Sequence, residues 1–291
     1  MNGILLIDKS AGWTSSDVVV KLKGVLHQRR IGHAGTLDPM ATGLLTVFVG
    51  RATRAVEFAE AHDKRYTAHL RLGTVTDTQD ITGTVLAQNE ANVTADELRA
   101  VLSRFLGEQE QTPPMYSAIK VNGKKLYEIA RAGGTAERKP RRIRIDALSL
   151  IGEDAGDWVL DVSCSKGTYI RALCDDIGAA LGCGGCMSAL RRTAAGEFTV
   201  DAAHTLDEVI AAANSGNAEE LLIPVDTLFA AYPAWRADAA AERRIRCGNE
   251  VKAAGLADGE YRVYSAETGE FLMLGRVQNG VMKTVKSFFE V

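Results

Sequence analysis

The 291-residue chain is 46% hydrophobic and 24% charged, the balance of an ordinary soluble globular protein, which excludes collagen-like, disordered and membrane-spanning classes. Lys and Arg number 34 against 37 Asp and Glu, so the net charge of −3 leaves any contact with a polyanion to local basic clusters. Five cysteines in a chain this long do not make a disulfide framework, and the four apolar residues 4–7 are too short for a signal-peptide core, so a cytoplasmic protein is expected.

Residues 4–7 read as a buried strand entering a turn at Lys9, Ser10, Ala11 and Gly12. Ser15 and Ser16 are placed to cap the helix that follows, which sets Val18, Leu22, Val25 and Leu26 on one face. Residues 30–43 hold three glycines and a proline among polar groups, without helical or strand periodicity, and read as a structured loop of the kind that carries function. Residues 44–49 form a strand closed by Gly50. From Lys64 to Leu72 the residues alternate, with Tyr66, Ala68, Leu70 and Leu72 inward. Thr94 and Glu97 form a capping box ahead of Leu98, Val101, Leu102, Phe105 and Leu106 at helical spacing.

Residues 114–146 concentrate nine basic and three acidic side chains, a net +6 in an acidic chain, interleaved with Tyr116, Tyr127 and Gly133-Gly134. Such a segment suits a phosphate-contacting arm, because each neutralised phosphate releases a counterion; its bland role is a solvated face. Residues 158–164 read as a strand, followed by a helix capped at Thr168, striped with Ile170, Leu173, Ile177 and Leu181 and stopped at Gly182, so Tyr169 and Arg171 fall in its first turn. Residues 201–226 carry six acidic side chains and no Lys or Arg, with a capping box at Thr205 and Glu208. Past Pro233, short strands at 261–264, 271–274 and 281–285 are separated by the turn pairs Thr268-Gly269 and Asn279-Gly280. The expected architecture is α+β, a mixed sheet with a small β-rich appendage.

Asp38 precedes Pro39, which biases its backbone towards an extended conformation. The pair serves either as a turn or as a carboxylate held at the lip of a cleft as nucleophile or base. Arg171 suits a partner for that carboxylate, or equally a helix ion pair with Asp175 four residues on. His33 has three open roles: general base, wedge that displaces a base, or loop histidine satisfied by backbone. Cys183 and Cys186 have C-x-x-C spacing but no second pair, so they read as structural, and no metal site is expected. Asp77 and Asp80, among Thr76, Thr78, Thr82 and Gly83, read as a polar turn. No phosphate loop, dinucleotide fingerprint or G-x-S-x-G elbow is present.

The run from Gly32 to Leu45, GHAGTLDPMATGLL, resembles the signature of the bacterial tRNA pseudouridine-55 synthases. The likeness continues in order through DKRY at 63–66, LGTVTDTQD at 72–80, PPMYSAIK at 113–120, KGTYIR at 166–171 and LRRT at 190–193. The resemblance implies isomerisation of one uridine in the T-loop of tRNA, on a pseudouridine synthase fold with a mixed, mainly antiparallel sheet flanked by helices. Asp38 would be the essential aspartate, acting on sugar or base or by removing a sugar proton. Tyr66 would stack on the uracil and take the final proton from C5, with Arg171 paired to Asp38. Tyr169 would help form the pocket, Leu190 would pack against the base and His33 would enter the loop vacated by the flipped uridine. Lys9, Lys64, Lys120, Arg141 and Arg142 would contact RNA. The resemblance further implies no cofactor or metal, no guide RNA, no membrane and a monomer. It implies a catalytic domain over 1–232 with the basic insertion at about 114–146, and a PUA-like RNA-binding domain over 233–291.

Overall fold

A computed structural model describes residues 1–121 and 123–290. The chain opens with β1 (Gly3–Lys9), α1 (Ser15–Val25), β2 (Ile31–Ala34), β3 (Thr42–Val49), α2 (Val56–Glu60), β4 (Lys64–Leu72), β5 (Thr74–Thr76) and β6 (Val85–Gln88). It continues through α3 (Ala95–Leu102), β7 (Gly107–Gln111), β8 (Lys120–Val121), β9 (Lys124–Lys125), α4 (Leu126–Arg131), β10 (Arg141–Asp154), β11 (Asp157–Cys164), α5 (Ile170–Ala180), β12 (Gly185–Ala195), β13 (Phe198–Thr199) and α6 (Leu206–Asn214). The last segment holds β14 (Ala234–Ala237), α7 (Ala239–Arg246), β15 (Val251–Lys252), β16 (Gly259–Ser265), β17 (Phe271–Gln278) and β18 (Val281–Ser287).

The main sheet runs β1-β3-β12-β4-β11-β10-β7, with β2 added to β3 and β13 to β12. Among the described residues of this sheet only the β12 and β3 pairing is parallel, so it is mixed and mainly antiparallel as expected. The run at residues 4–7 is apolar at every position because β1 is covered on both sides. Leu5 and Ile7 pack with Val18 and Leu22 of α1, Leu98 of α3, Ile177 of α5 and Val209 of α6. Ile4 and Leu6 join Phe48, Phe229, Leu274 and Phe288 on the opposite face. The second sheet, β14-β16-β17-β18-β15, thus seals the back of the first.

An aromatic cluster fastens this junction: the buried Phe229 ring lies 5.1 Å from Phe58, 5.9 Å from Phe288 and 6.1 Å from Phe271, centroid to centroid. Truncating it to alanine opens a cavity between the two sheets, and Phe229→Ala is expected to cost about 3–5 kcal/mol. Urea titration checks this; a loss below about 1 kcal/mol would mean that the interface collapses around the gap.

Sequence expectations need amendment at several points. The cap of α1 is Thr14, which exchanges hydrogen bonds with Asp17, because the Ser15 hydroxyl is occupied elsewhere. Residues 31–34 pair with β3 as a strand, so only 35–41 form the loop. At α5 the N-cap is Tyr169, and Thr168 donates to the Ser165 carbonyl instead. The basic arm is shorter than 114–146. The β8 and β9 hairpin with α4 precedes β10, and Arg141, Arg142 and Arg144 belong to that strand of the main sheet, paired to β7.

Candidate active site

Seven residues, 35–41, join β2 to β3 and carry Asp38. They are held from below by three attachments. The Ser15 hydroxyl accepts from the Leu37 N–H at 2.9 Å and donates to the Leu37 carbonyl. The Gly12 N–H donates to the Pro39 carbonyl at 2.8 Å. The Lys9 ammonium, 0% exposed, donates to the carbonyls of Trp13 and Ser10 at 2.8 and 3.0 Å and more weakly to that of Pro39. Burial pushes Lys9 down to about 8 against the opposing pull of the Asp38 charge. Lys9 is therefore a strut under the loop, and the expectation that it touches RNA is corrected: its donors are committed inside the protein.

Asp38 closes a turn through its backbone and leaves its carboxylate free to pair with Arg171. Its carbonyl accepts from the Ala41 N–H at 3.0 Å and closes the turn. Its carboxylate meets Arg171 side-on, Oδ2 at 2.9 Å from Nε and Oδ1 at 3.3 Å from Nη2. Arg171, 5% exposed, also donates from Nη2 to the Tyr116 carbonyl at 2.8 Å and from Nη1 to the Thr78 carbonyl at 3.1 Å. Its Nη1 lies 3.7 Å from Oδ2 of buried Asp80. One guanidinium thus ties the 35–41 loop to two further segments through a fork that only arginine can offer. The alternative helix pair with Asp175 is not formed, because Asp175 accepts from the Gln79 amide at 2.7 Å.

Asp80 is a site residue that sequence reasoning missed. The polar turn is real: its Oδ1 accepts from the Thr78 hydroxyl at 2.8 Å and from the Thr82 N–H and hydroxyl. Its other oxygen faces Arg171, so the guanidinium stands between two carboxylates. Burial raises the Asp38 carboxyl above its ordinary range and Asp80 adds to that, while Arg171 and Lys9 hold it down. Gln111 was also missed; it grips the start of α5 by accepting from the Tyr169 N–H at 2.8 Å and donating to the Tyr169 carbonyl at 3.0 Å.

Tyr66 lies on β4 directly opposite Arg192 of β12, with Leu190 opposite Ala68 two pairs away. Burial lifts the Tyr66 phenol above its ordinary value, and the Arg192 charge opposes the lift. His33 on β2 is half-buried with Nδ1 enclosed and unpartnered, and burial, helped by Arg192, keeps the imidazole low and hence neutral at pH 7. Lys64 is buried and donates to the carbonyls of Glu60 and His62, so its expected RNA contact is corrected for the same reason as Lys9. Lys120, Arg141 and Arg142 are exposed and remain available to a polyanion. Arg191, in contrast, is engaged by Asp8 at 2.7 Å.

A partly exposed carboxylate held in the fork of a buried arginine, with the buried Tyr66 within its electrostatic reach and exposed basic side chains on β10, is suited to acting on an uncharged ring of a polyanion. Comparison with known proteins agrees. The family described as "TruB family pseudouridylate synthase (N terminal domain)" matches residues 23–170, and "tRNA pseudouridylate synthase B C-terminal domain" matches 171–230; the second sheet lies outside both matches. A tRNA pseudouridine synthase B from Azoarcus sp. (strain BH72) is 44% identical over 97% of this chain and 93% of its own. That of Ralstonia pickettii (strain 12J) is 46% identical over 86% of this chain and 80% of its own. Among solved structures, one titled "Crystal Structure of a Cbf5-Nop10-Gar1 Complex" superposes with a TM-score of 0.75 at 25% identity, covering 99% of this chain and 85% of that one. A second, an H/ACA RNP bound to a substrate RNA containing 2′-deoxyuridine, shares the fold with a TM-score of 0.74 at 23% identity, with coverage of 99% and 85%. The chain therefore belongs to the TruB family of pseudouridylate synthases and isomerises uridine to pseudouridine in tRNA.

Proposed function

We propose that the target is the T-loop uridine at the family's position 55, and that Asp38 acts on it after the nucleotide has left the base stack. A base inside a folded loop cannot reach a carboxylate until it is extruded, which calls for an aromatic platform and a wedge. Tyr66, Tyr169 and Leu190 serve as the platform and walls, and His33 as the wedge. The C1′–N1 bond breaks, the uracil turns, C1′ bonds to C5, and the proton lost from C5 passes to Tyr66 while N1 regains one. The observation that carries this reading is the Arg171 fork on Asp38, which aims one carboxylate and favours its ionised form.

We further infer a stand-alone cytoplasmic monomer that needs no guide RNA and no membrane, with catalysis in 1–232 and RNA contact extended by 233–291. The absence of any helix long and apolar enough to span a bilayer among the described residues is compatible with this. The test is tritium release from unmodified T-arm RNA labelled at uracil C5, with no guide RNA present. Release is expected from the wild type alone; binding without release would favour a guide-dependent reading.

Arg141 and Arg142 extend the binding face along β10. Reversing both to glutamate is expected to weaken tRNA binding and to lower the slope of log affinity against log salt by roughly one unit per lost phosphate contact. Titrations at several salt concentrations check this, and an unchanged slope would remove both residues from the interface.

A further inference from the structure

Arg192 is a fully charged side chain with only 1% of its surface exposed, and the mechanism above makes no use of it. The packing of β12 against β3 and β4 puts it at the centre of the site. Its Nε donates to the Leu44 carbonyl at 2.7 Å and its Nη2 to the Gly35 carbonyl at 2.9 Å. Gly35 opens the Asp38 loop and Leu44 lies just beyond its close, so one rigid fork spans the loop's two ends. The approach is tight enough to exclude other residues: Gly43 has φ +96°, and a Cβ there would collide with the Arg192 backbone.

Among the described residues no carboxylate pairs with Arg192. An enclosed guanidinium without a counter-ion is costly, and an apolar side chain of similar volume would pack there more cheaply. Its neighbours are in the main cationic or neutral: it acts on Lys9, Lys64, His33 and Tyr66. The charge is therefore retained for what it does to the site.

We propose that Arg192 is a positioning residue for the isomerisation, which holds the two ends of the Asp38 loop at a fixed separation and sets a permanent cation against Tyr66. The loop function stands on the two carbonyl bonds alone. The second function rests on the reading that Tyr66 accepts a proton. Three groups face the Tyr66 phenol: Arg192 from β12, Cys164 from β11 and Asp38 from the loop. Of these only Arg192 favours the phenolate; burial, Cys164 and Asp38 all oppose it.

The experiment compares Arg192→Gln, Arg192→Lys and Tyr66→Phe with wild type, reading tRNA affinity, single-turnover rate, thermal midpoint and the alkaline ultraviolet pH profile of the Tyr66 phenol, taken by difference from Tyr66→Phe. Arg192→Gln is expected to bind tRNA within about threefold of wild type and to turn over about 100-fold slower, because the loop is loosened without touching the RNA face. Its pH profile is expected to move up by about one unit or more, as removal of a nearby cation requires. Arg192→Lys keeps the charge but cannot hold both carbonyls, so it restores the pH profile without restoring the rate. A folded Arg192→Gln within threefold of the wild-type rate overturns the proposal. Should that variant not fold, a wild-type rate in Arg192→Lys overturns it equally. Full activity in Tyr66→Phe would dismiss the Tyr66 reading alone, leaving the loop function to stand or fall on the Arg192→Lys rate.

Discussion

Asp38→Asn is expected to retain tRNA affinity within a few-fold and to lose turnover by about 10⁴-fold, the scale seen when a reacting carboxylate or its equivalent is made neutral. Asparagine is nearly isosteric, so the turn closed by the Ala41 N–H survives. The negative charge does not, and half of the amide presents N–H groups to the Arg171 fork that already fills that space with donors. Single-turnover tritium release at saturating enzyme separates the chemical step from binding; a residual rate within a hundredfold of wild type would deny Asp38 the role. The pH dependence has a definite sign. Burial raises the Asp38 carboxyl, so activity that needs the ionised form is lost on acidification at a higher pH than an ordinary aspartate would give. In Asp38→Asn that acid limb disappears from whatever rate remains.

The second large effect is on stability as well as rate. Arg171→Met is expected to destabilise the fold by about 3–5 kcal/mol, chiefly because it strands the buried Asp80 carboxylate and leaves the more exposed Asp38 without its partner. Asp38 and Asp80 then repel each other across the vacated space, and the carbonyls of Thr78 and Tyr116 lose their donor. Adding Asp80→Asn to Arg171→Met removes one stranded charge and is expected to recover part of the loss, while neither variant recovers activity. Denaturant unfolding of the four combinations measures the coupling directly. Arg171→Met unfolding within about 1 kcal/mol of wild type would show that water screens the site and that the fork matters for chemistry alone.

What could be read from the residues divides along physical lines. The β4 alternation and the capping boxes at Thr94 and Thr205 were plain, because each is a local pattern whose partners lie within a turn or strand. Strand β10 was hidden by a bulge between Ile145 and Ala147, which shifts its apolar alternation from Ile143 and Ile145 to Leu148. Strand β12 carries two bulges and a buried arginine, so it shows no strand pattern at all. Of the site, Asp38 and Arg171 stood out from the residues only with alternatives open, and resemblance chose between those and gave Tyr66 its role, because the ion pair spans 133 positions that no spacing rule connects. Asp80, Gln111 and Arg192 escaped because their partners are equally remote. Lys9 and Lys64 were misplaced for a simpler reason: a lysine in a sequence looks like surface charge, whereas backbone carbonyls can hold one inside.

The place of β12 between β3 and β4 also governs the order in which the protein comes into being. The neighbours on either side are synthesised more than a hundred residues before the strand that separates them. A nascent chain on the ribosome can zip β1 to β3 and β10 to β11 early, but the sheet stays in two halves until residue 195 has emerged, and pairings of such long range are slow to form. The same late strand delivers Leu190 and Arg192 to the cleft. Closure of the main sheet and the bracing of the Asp38 loop by Arg192 thus wait on the same late strand.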